Sequence, residues 1–387
     1  MEGQVLMRKN LLKSFKMRNK KPLFIVGIFV AILAVFIIVK TASFYPFLFH
    51  LFFDKGVSLK QTDNKINILI LGIGGGSHDG PNLTDTIILT TLDEKNNRVT
   101  LSSIPRDLWM PSLEGDDKKI NAAYAYGESV RKGGGIPLTK AAVGKITGQQ
   151  IDYAVRIDFS GFEKAVDVVG GLDINVDNVL DDYAYPISGK EDDSCGFTPE
   201  DIKLFTASSP AELENQEKFS CRYKYLHFDK GLNHMSGEMA LEFVRSRHAI
   251  GSEGTDFARS KRQEKVINAF KDKILSAQTL VNPAKILNLY SVLSGSIDTD
   301  IKQDEFDDFV RLAQKMKQAK ISSVVIDIGD EKTKRQGLLI NPLITSDYNL
   351  EWVLIPRIGN GNFTEIQKYI DCELKIGNCS ISIKPQN

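Results

Sequence analysis

Two groups of arginines stand close together in the stretch FVRSRHAIGSEGTDFARSKRQEK, from Phe243 to Lys265. Arg245 and Arg247 are two residues apart, so in an extended segment both guanidinium groups project to one side. Arg259, Arg262 and Gln263 are spaced i, i+3, i+4, which on a helix sets them along one face. Planar guanidinium forks match phosphate oxygens better than an ammonium point charge does, and the two groups read together as a clamp for a phosphorylated ligand. Lys261 and Lys265, in the same run, read instead as a solvated basic face.

Further candidates lie upstream. SSIPRDLWM places Arg106 and Asp107 directly after an apolar strand that Pro105 stops, and strand ends are where α/β sheets hold ligands. LGIGGGSHDGPNLTDT lies between two strands and supplies Asp79 and Asp85, carboxylates able to hold a divalent cation or accept a proton. Asp79-Gly80-Pro81 is also a good turn in its own right. This loop lacks the Gly-Lys-Ser/Thr ending of a P-loop and does not carry the GxGxxG dinucleotide fingerprint. His78, His227, His234 and His248 form no metal-ligand tandem, and no Ser-His-Asp set is evident from spacing.

These side chains need elements to position them. INILILG, DTIILTTL and RVTLSSI are β-rich, and DEKNN between the last two reads as a hairpin turn. INAAYAYGESVRKGGG and PLTKAAVGKIT read as helices and YAVRID as a strand. SGFEKAVDVVGG reads as a helix opened by Ser160 and Glu163 in capping-box spacing and closed by Gly170 and Gly171. LDINV is one more strand. Residues 177–229 turn irregular and contain Cys195 and Cys221, which predicts a disulfide-pinned excursion at the rim of a site. SGEMALEFVRSR is a helix with an extended end, and TDFARSKRQEKVINAFKDKIL a long amphipathic helix with Phe257, Val266, Ile267, Phe270 and Ile274 inward. Helices near Ala284–Val292 and Asp304–Gln318, strands in ISSVVIDI and EWVLIPR, and a helix in FTEIQKYI complete the chain. Strand-helix alternation with short connections predicts helices layered on a sheet.

The 387 residues carry 49 basic and 49 acidic side chains, which argues against a nucleic-acid coat and makes the arginine cluster a local feature. PLFIVGIFVAILAVFIIV, Pro22 to Val39, is uncharged and close to the ~20 apolar residues that cross a bilayer. Arg8, Lys9, Lys13, Lys16, Arg18, Lys20 and Lys21 precede it against Glu2 alone, so the positive-inside rule keeps the N-terminus cytoplasmic. The expectation is a cytoplasmic segment over 1–21, a transmembrane signal-anchor helix over 22–40, a juxtamembrane linker over 41–64 and everything beyond outside the cell membrane. Cys195, Cys221, Cys372 and Cys379 suit that oxidising side, with the two local pairs the natural disulfides.

Taken in order, INILILG, LTDTIILTTLD, VTLSSIPRDLWM, KINAAYAYG, IDYAVRIDFSGFEKAVDVVGGLDINV, GLNHMSGEMALEFVRSR and DFARSKRQEKVI resemble the LytR-CpsA-Psr family of bacterial envelope proteins. The resemblance implies an α/β/α layered fold with a central mixed β-sheet over 65–295, a C-terminal α/β extension packed on it over 296–387, and a long apolar pocket for a polyprenyl chain. It implies transfer of a glycopolymer from a polyprenyl-pyrophosphate carrier to a peptidoglycan hydroxyl, with Mg2+ or another divalent cation. Asp85, Arg106, Arg245, Arg247, Arg259, Arg262 and Gln263 match the family's functional positions. Asp85 and Arg106 are then catalytic, the other five bind pyrophosphate, and Asp85 with Asp79 holds the metal. Gly74 stands where the family commonly carries an Asp and Leu83 where it carries an Arg; Asp79, with His78 or Arg156, is the expected substitute. The alternative is an envelope protein that binds lipid-linked polymer, or regulates, without transferring it. Protease added to intact spheroplasts should digest the residues after Lys40; full protection of that region would overturn the topology.

Overall fold

The computed structural model describes residues 58–76, 80–113, 116–190, 192–208, 218–274, 276, 288–289, 292, 295–330 and 334–381. The apolar run Pro22–Val39, His78, Asp79 and most of the helix expected near Ala284–Val292 lie outside these residues. Among the described residues no helix is long and apolar enough to cross a membrane. Contacts group into two units, Met1–Val57 with Asp307–Arg311, and Ser58–Phe306 with Leu312–Asn387. The scaffold and site belong to the second.

Short β-rich runs, buried on both faces for much of their length, build the central strands: β1 (Ile66–Ile73), β2 (Thr84–Asp93) and β3 (Arg98–Ser103). β1 and β2 pair antiparallel, and so do β2 and β3, across the Glu94–Asn97 turn, where Asn96 N–H donates to the Asp93 carboxylate at 3.0 Å. A small ribbon of β4 (Trp109–Leu113) and β5 (Asp116–Lys119) leads to α1 (Ala122–Val130) and α2 (Gly135–Thr147). Then β6 (Tyr153–Asp158) returns parallel to β1. Leu69, Leu71, Ile87, Leu89 and Ala154 share one sheet face and pack in a core with Ala123 and Tyr124 of α1 and Val143 and Ile146 of α2.

The second face carries α3 (Phe159–Val169), then β7 (Leu172–Val176) and β8 (Leu180–Pro186). Next come α4 (Pro199–Ser208), β9 (Tyr223–Phe228), β10 (Gly231–Met235), α5 (Gly237–Arg245) and α6 (Asp256–Ile274). These elements have their own core, with Val166, Val169, Ala240, Phe243 and Val266 beside Leu172, Ile174, Leu226 and Phe228. The segment expected to be irregular thus holds an antiparallel β8/β9 ribbon, and Cys195 is bonded to Cys221, Cα atoms 5.7 Å apart, in the connection between its strands. Two local readings shift. α3 is capped by Asp158, whose carboxylate accepts from Gly161 N–H at 2.7 Å, so Ser160 lies inside the helix. Phe257, in the first turn of α6, is 43% exposed rather than inward.

Beyond residue 296, β11 (Ile297–Thr299) pairs with β6, and α7 (Phe306–Lys315) precedes β12 (Lys320–Val325), which runs parallel to β3. The sheet order is β11-β6-β1-β2-β3-β12, so the C-terminal residues supply both edges of the central sheet. They complete the layer, instead of packing as an extension on a finished domain. The ribbons β13 (Gly329–Asp330) with β14 (Arg335–Gln336) and β15 (Leu339–Ile340) with β16 (Ile355–Pro356) follow. α8 (Thr364–Lys375) adds Ile366, Ile370 and Leu374 to the first core and carries the Cys372–Cys379 disulfide.

One close approach sets where α5 starts. Gly237 N–H donates to Asp167 at 2.8 Å, and a Cβ on Gly237 would lie 2.1 Å from the Glu163 carbonyl oxygen in α3. Gly237→Ala should therefore force the two helices apart and lower the unfolding free energy by about 1–3 kcal/mol, read as a lower urea midpoint.

Candidate functional site

A cavity of about 730 Å³ opens where β1 ends, β2 begins and the chain leaves β3. Asp85, Arg106, Arg245, Arg247, Arg259 and Gln263 all line it, with Thr86, Asp107, Lys119, Tyr185, Ile344 and Trp352. Residues from widely separated stretches of sequence thus meet at one opening.

Asp85 is the second residue of β2, and Arg106 sits in the turn after β3, where its guanidinium donates to the Asp85 carboxylate. Arg106 Nε is 3.5 Å from Asp107, and Asp107 is 3.5 Å from Lys119. Burial works against the charge of Arg106, but Asp85 and Asp107 outweigh it and hold its pKa above the ordinary value. The cavity wall therefore carries a permanent cation locked to a carboxylate.

Arg245 is the last residue of α5, so it and Arg247 do not share an extended segment. Ser246 turns the chain out of the helix, and a separate strand holds the turn in place. The Asp182 carboxylate of β8, fully buried, accepts from Ser246 Oγ at 2.7 Å and from His248 N–H at 3.2 Å, while Ile250 N–H donates to the Asp181 carbonyl at 2.8 Å. The Arg245 guanidinium carbon lies 4.2 Å from the Phe159 ring centroid, a cation–π contact that aims it. Tyr185 adds a phenol at the wall; burial, against the pull of Arg245, pushes its pKa up to about 12 and keeps it neutral.

Arg262 does not join the cluster. On a helix it lies about 60° to one side of Arg259 and Gln263 about 40° to the other, so when Arg259 and Gln263 face the cavity Arg262 turns into the protein. It is 3% exposed and donates to the carbonyls of Phe243, Ser246 and Glu253 at 2.9, 2.7 and 2.8 Å, and to the Glu253 carboxylate at 3.2 Å. Burial pushes its pKa down to about 10 despite Glu253. Its expected role as a pyrophosphate ligand gives way to that of an internal strut.

The altered acidic loop is only partly described, with His78 and Asp79 outside it. Gly75 has φ 68°, and a Cβ there would come within 2.8 Å of Asp158 Cβ, so glycine is required beside Gly74. Leu83 is 36% exposed. Arg156 does not line the cavity; it donates to Tyr124 Oη and the Ser296 carbonyl, each at 3.2 Å. Among the described residues, the one cluster of three metal-type ligands is Asp193, Cys195 and Cys221, whose cysteines are disulfide-bonded. The cavity itself presents the carboxylates of Asp85 and Asp107. That donor set suits a hard cation that completes its shell with phosphate oxygens and water.

Sequence reasoning missed Asp182, Glu253, Tyr185 and Lys119. The available signal for the first and third was β-rich LDDYAYP facing β-rich YKYLHF across the Cys195–Cys221 loop, a hairpin pattern obscured by acids and glycines. Glu253 and Lys119 had none, because nothing in their local sequence shows that Glu253 meets Arg262 or that Lys119 bridges Asp107 and Glu351.

Comparison with known proteins bears on this arrangement. The model of the LytR_cpsA_psr family matches residues 52–341. The chain is 29% identical over 246 residues to the polyisoprenyl-teichoic acid–peptidoglycan teichoic acid transferase TagU of Bacillus cereus, covering 63% of this chain and 62% of that protein. It is 30% identical over 243 residues to the corresponding transferase TagV of Bacillus subtilis, covering 62% and 50%. The matched stretch thus spans less than two thirds of either relative. In structure it is similar to Bacillus subtilis TagV, with TM-score 0.50 and 25% identity over 81% of this chain and 98% of that one. It shares the fold of protein gbs0355 from Streptococcus agalactiae, with TM-score 0.51 and 21% identity over 80% and 88%.

The strand that holds the arginine turn yields a direct test. Asp182→Ala leaves the Ser246 hydroxyl and the His248 N–H without their acceptor and should cost about 1–3 kcal/mol in stability. Affinity for a pyrophosphate ligand should fall with it, although Asp182 is fully buried and does not line the cavity; titration calorimetry on the folded variant reads this.

Proposed function

Since the chain belongs to the LytR-CpsA-Psr family, we propose that it is a membrane-anchored phosphotransferase that moves a glycopolymer from a polyprenyl-pyrophosphate carrier to a peptidoglycan hydroxyl. The observation that carries the reading is the meeting of Arg106, Arg245, Arg247 and Arg259 with Asp85 at one cavity. A pyrophosphate diester gathers negative charge as its bridge breaks, and guanidinium groups set around it in advance lower that barrier. The transferases named among the relatives support polymer transfer as the reaction class.

In this reading Arg245, Arg247 and Arg259 hold the pyrophosphate, and Gln263 adds a side-chain amide. The acceptor hydroxyl attacks the polymer-side phosphorus, forming a phosphodiester as the bridging P–O bond breaks. Polyprenyl phosphate leaves, its charge met by the arginines. Asp85, oriented by Arg106, takes the hydroxyl proton or holds a cation. Magnesium, if bound, would be held by Asp85 and Asp79 and would supply further charge neutralisation at the pyrophosphate.

A channel for the isoprenoid chain finds support on the second sheet face. Ile68, Ile70, Val155 and Ile157 are only half-buried there, while the first-face residues Leu69 and Leu71 are fully buried. The helices opposite bury their apolar side chains in a separate core. The anchoring segment is the uncharged run Pro22–Val39.

Lipid-linked oligosaccharide incubated with the full chain and peptidoglycan fragments should yield polymer-linked fragments. Asp85→Asn should abolish that product while leaving donor binding in place. Arg245→Ala and Arg247→Ala should each weaken donor binding by about 1.5–3 kcal/mol, the range for hydrogen bonds to charged groups, with Lys restoring only part. Donor binding by the unaltered chain without any transfer would favour the non-catalytic alternative.

A further inference from the structure

Between β15 and β16 several large apolar side chains face water. Leu343 is 85% exposed, Ile344 57%, Leu350 71% and Trp352 49%. Exposed apolar side chains gathered in one segment mark an interaction surface more often than they serve stability. Ile344 and Trp352 also form part of the wall of the arginine cavity, so this lip stands at the mouth of the site.

The lip is built to hold its shape. The buried Trp109 meets the Tyr348 ring edge-on, centroids 5.6 Å apart, in a small core with Val353 and Ile355. Lys119 joins Glu351 at 2.9 Å and Asp107 at 3.5 Å, which ties the lip to the turn that carries Arg106. Asn349 and Leu350 both adopt left-handed backbone, φ 54° and 59°. Such a conformation disfavours leucine, and here it holds a leucine outward.

We propose that Leu343, Ile344, Leu350 and Trp352 seat in the surface of the lipid bilayer and bring the mouth of the cavity to the carrier's headgroup. This rests on the membrane-anchored reading above. A pyrophosphate linked to a polyprenyl chain lies at the bilayer surface, so a cavity that takes it must reach that surface, and Ile344 and Trp352 of this lip line the cavity. Only residues 40–57 separate the apolar run from the described chain, a length that spans at most roughly 60 Å. A tryptophan flanked by aliphatic side chains is also the composition of a membrane interface. Asp347, exposed within the lip, sets the kind of binding: apolar contact drives it, and attraction to anionic lipid does not.

The chain has two tryptophans, and Trp109 is fully buried, so bromolipid quenching reports on Trp352. The full chain is reconstituted in phosphatidylcholine vesicles carrying brominated acyl chains and purified by flotation. Trp352 emission should shift to the blue and be quenched, with little change in high salt. Trp352→Phe should remove the quenched component. Leu343→Asp combined with Leu350→Asp should lose most of the quenching while the protein still floats. Flotation with Trp352 unquenched, or quenching indifferent to the two aspartates, would overturn the lip and leave the anchor standing. Failure to float would overturn both. Protection of Trp352 from iodide by soluble peptidoglycan fragments, with no quenching by bromolipid, would make the lip an acceptor surface and overturn the bilayer assignment.

Discussion

A buried guanidinium organises the site. The last carbonyls of a helix have no partners within it, and at the end of α5 they lie in the interior, where an unpaired carbonyl is costly. Arg262 meets this need from α6, reaching Phe243 and Ser246 with two nitrogens and the Glu253 loop with the third. Since its own charge is buried too, it requires these acceptors as much as they require it. Three segments are thereby fixed relative to one another, and each borders or carries an arginine of the cavity.

Around this strut the structure solves a problem of like charge. Arg106, Arg245, Arg247 and Arg259 repel one another when no anion lies among them, and the fold counters that with separate restraints. Asp85 and Asp107 hold Arg106, the Phe159 ring supports Arg245, and Asp182 fixes the turn that leads to Arg247. None of these restraints comes from the segment it restrains, apart from Asp107. The cavity is therefore preorganised by the tertiary fold, the condition under which electrostatic stabilisation of a phosphoryl transfer is effective.

The mixed sheet makes these restraints possible. Parallel pairing of β6 on β1 and of β12 on β3 needs long crossovers, and those crossovers carry α1 to α7 and β8. The C-terminal residues therefore belong to the same layer as the motif-bearing region. Their strand closes the sheet edge, and the loop beyond it reaches the cavity through Trp352 and Ile344.

Much of this was legible from residues alone. The β-rich runs INILILG and DTIILTTL, the DEKNN turn and the 3.6-residue period after Asp256 determined the central elements, because such signals depend on neighbours a few residues away. The arginine types and spacing determined that an anionic, phosphate-bearing ligand was the chemistry to expect. What only the tertiary structure decided was direction and partnership. Arg259, Arg262 and Gln263 have spacings that place all three on one broad face, yet the position of α5 turns Arg262 inward and leaves the other two in the cavity. Arg245 and Arg247 reach one site through a helix end and a turn held by Asp182, not through an extended strand. Residues 297–299 and 320–325 look like pieces of an appended domain because nothing local to them shows that their hydrogen-bonding partners lie in β6 and β3, well over a hundred residues earlier. Local spacing specifies which side chains can act together; which of them do is set by long-range burial and by the pairing of buried polar groups.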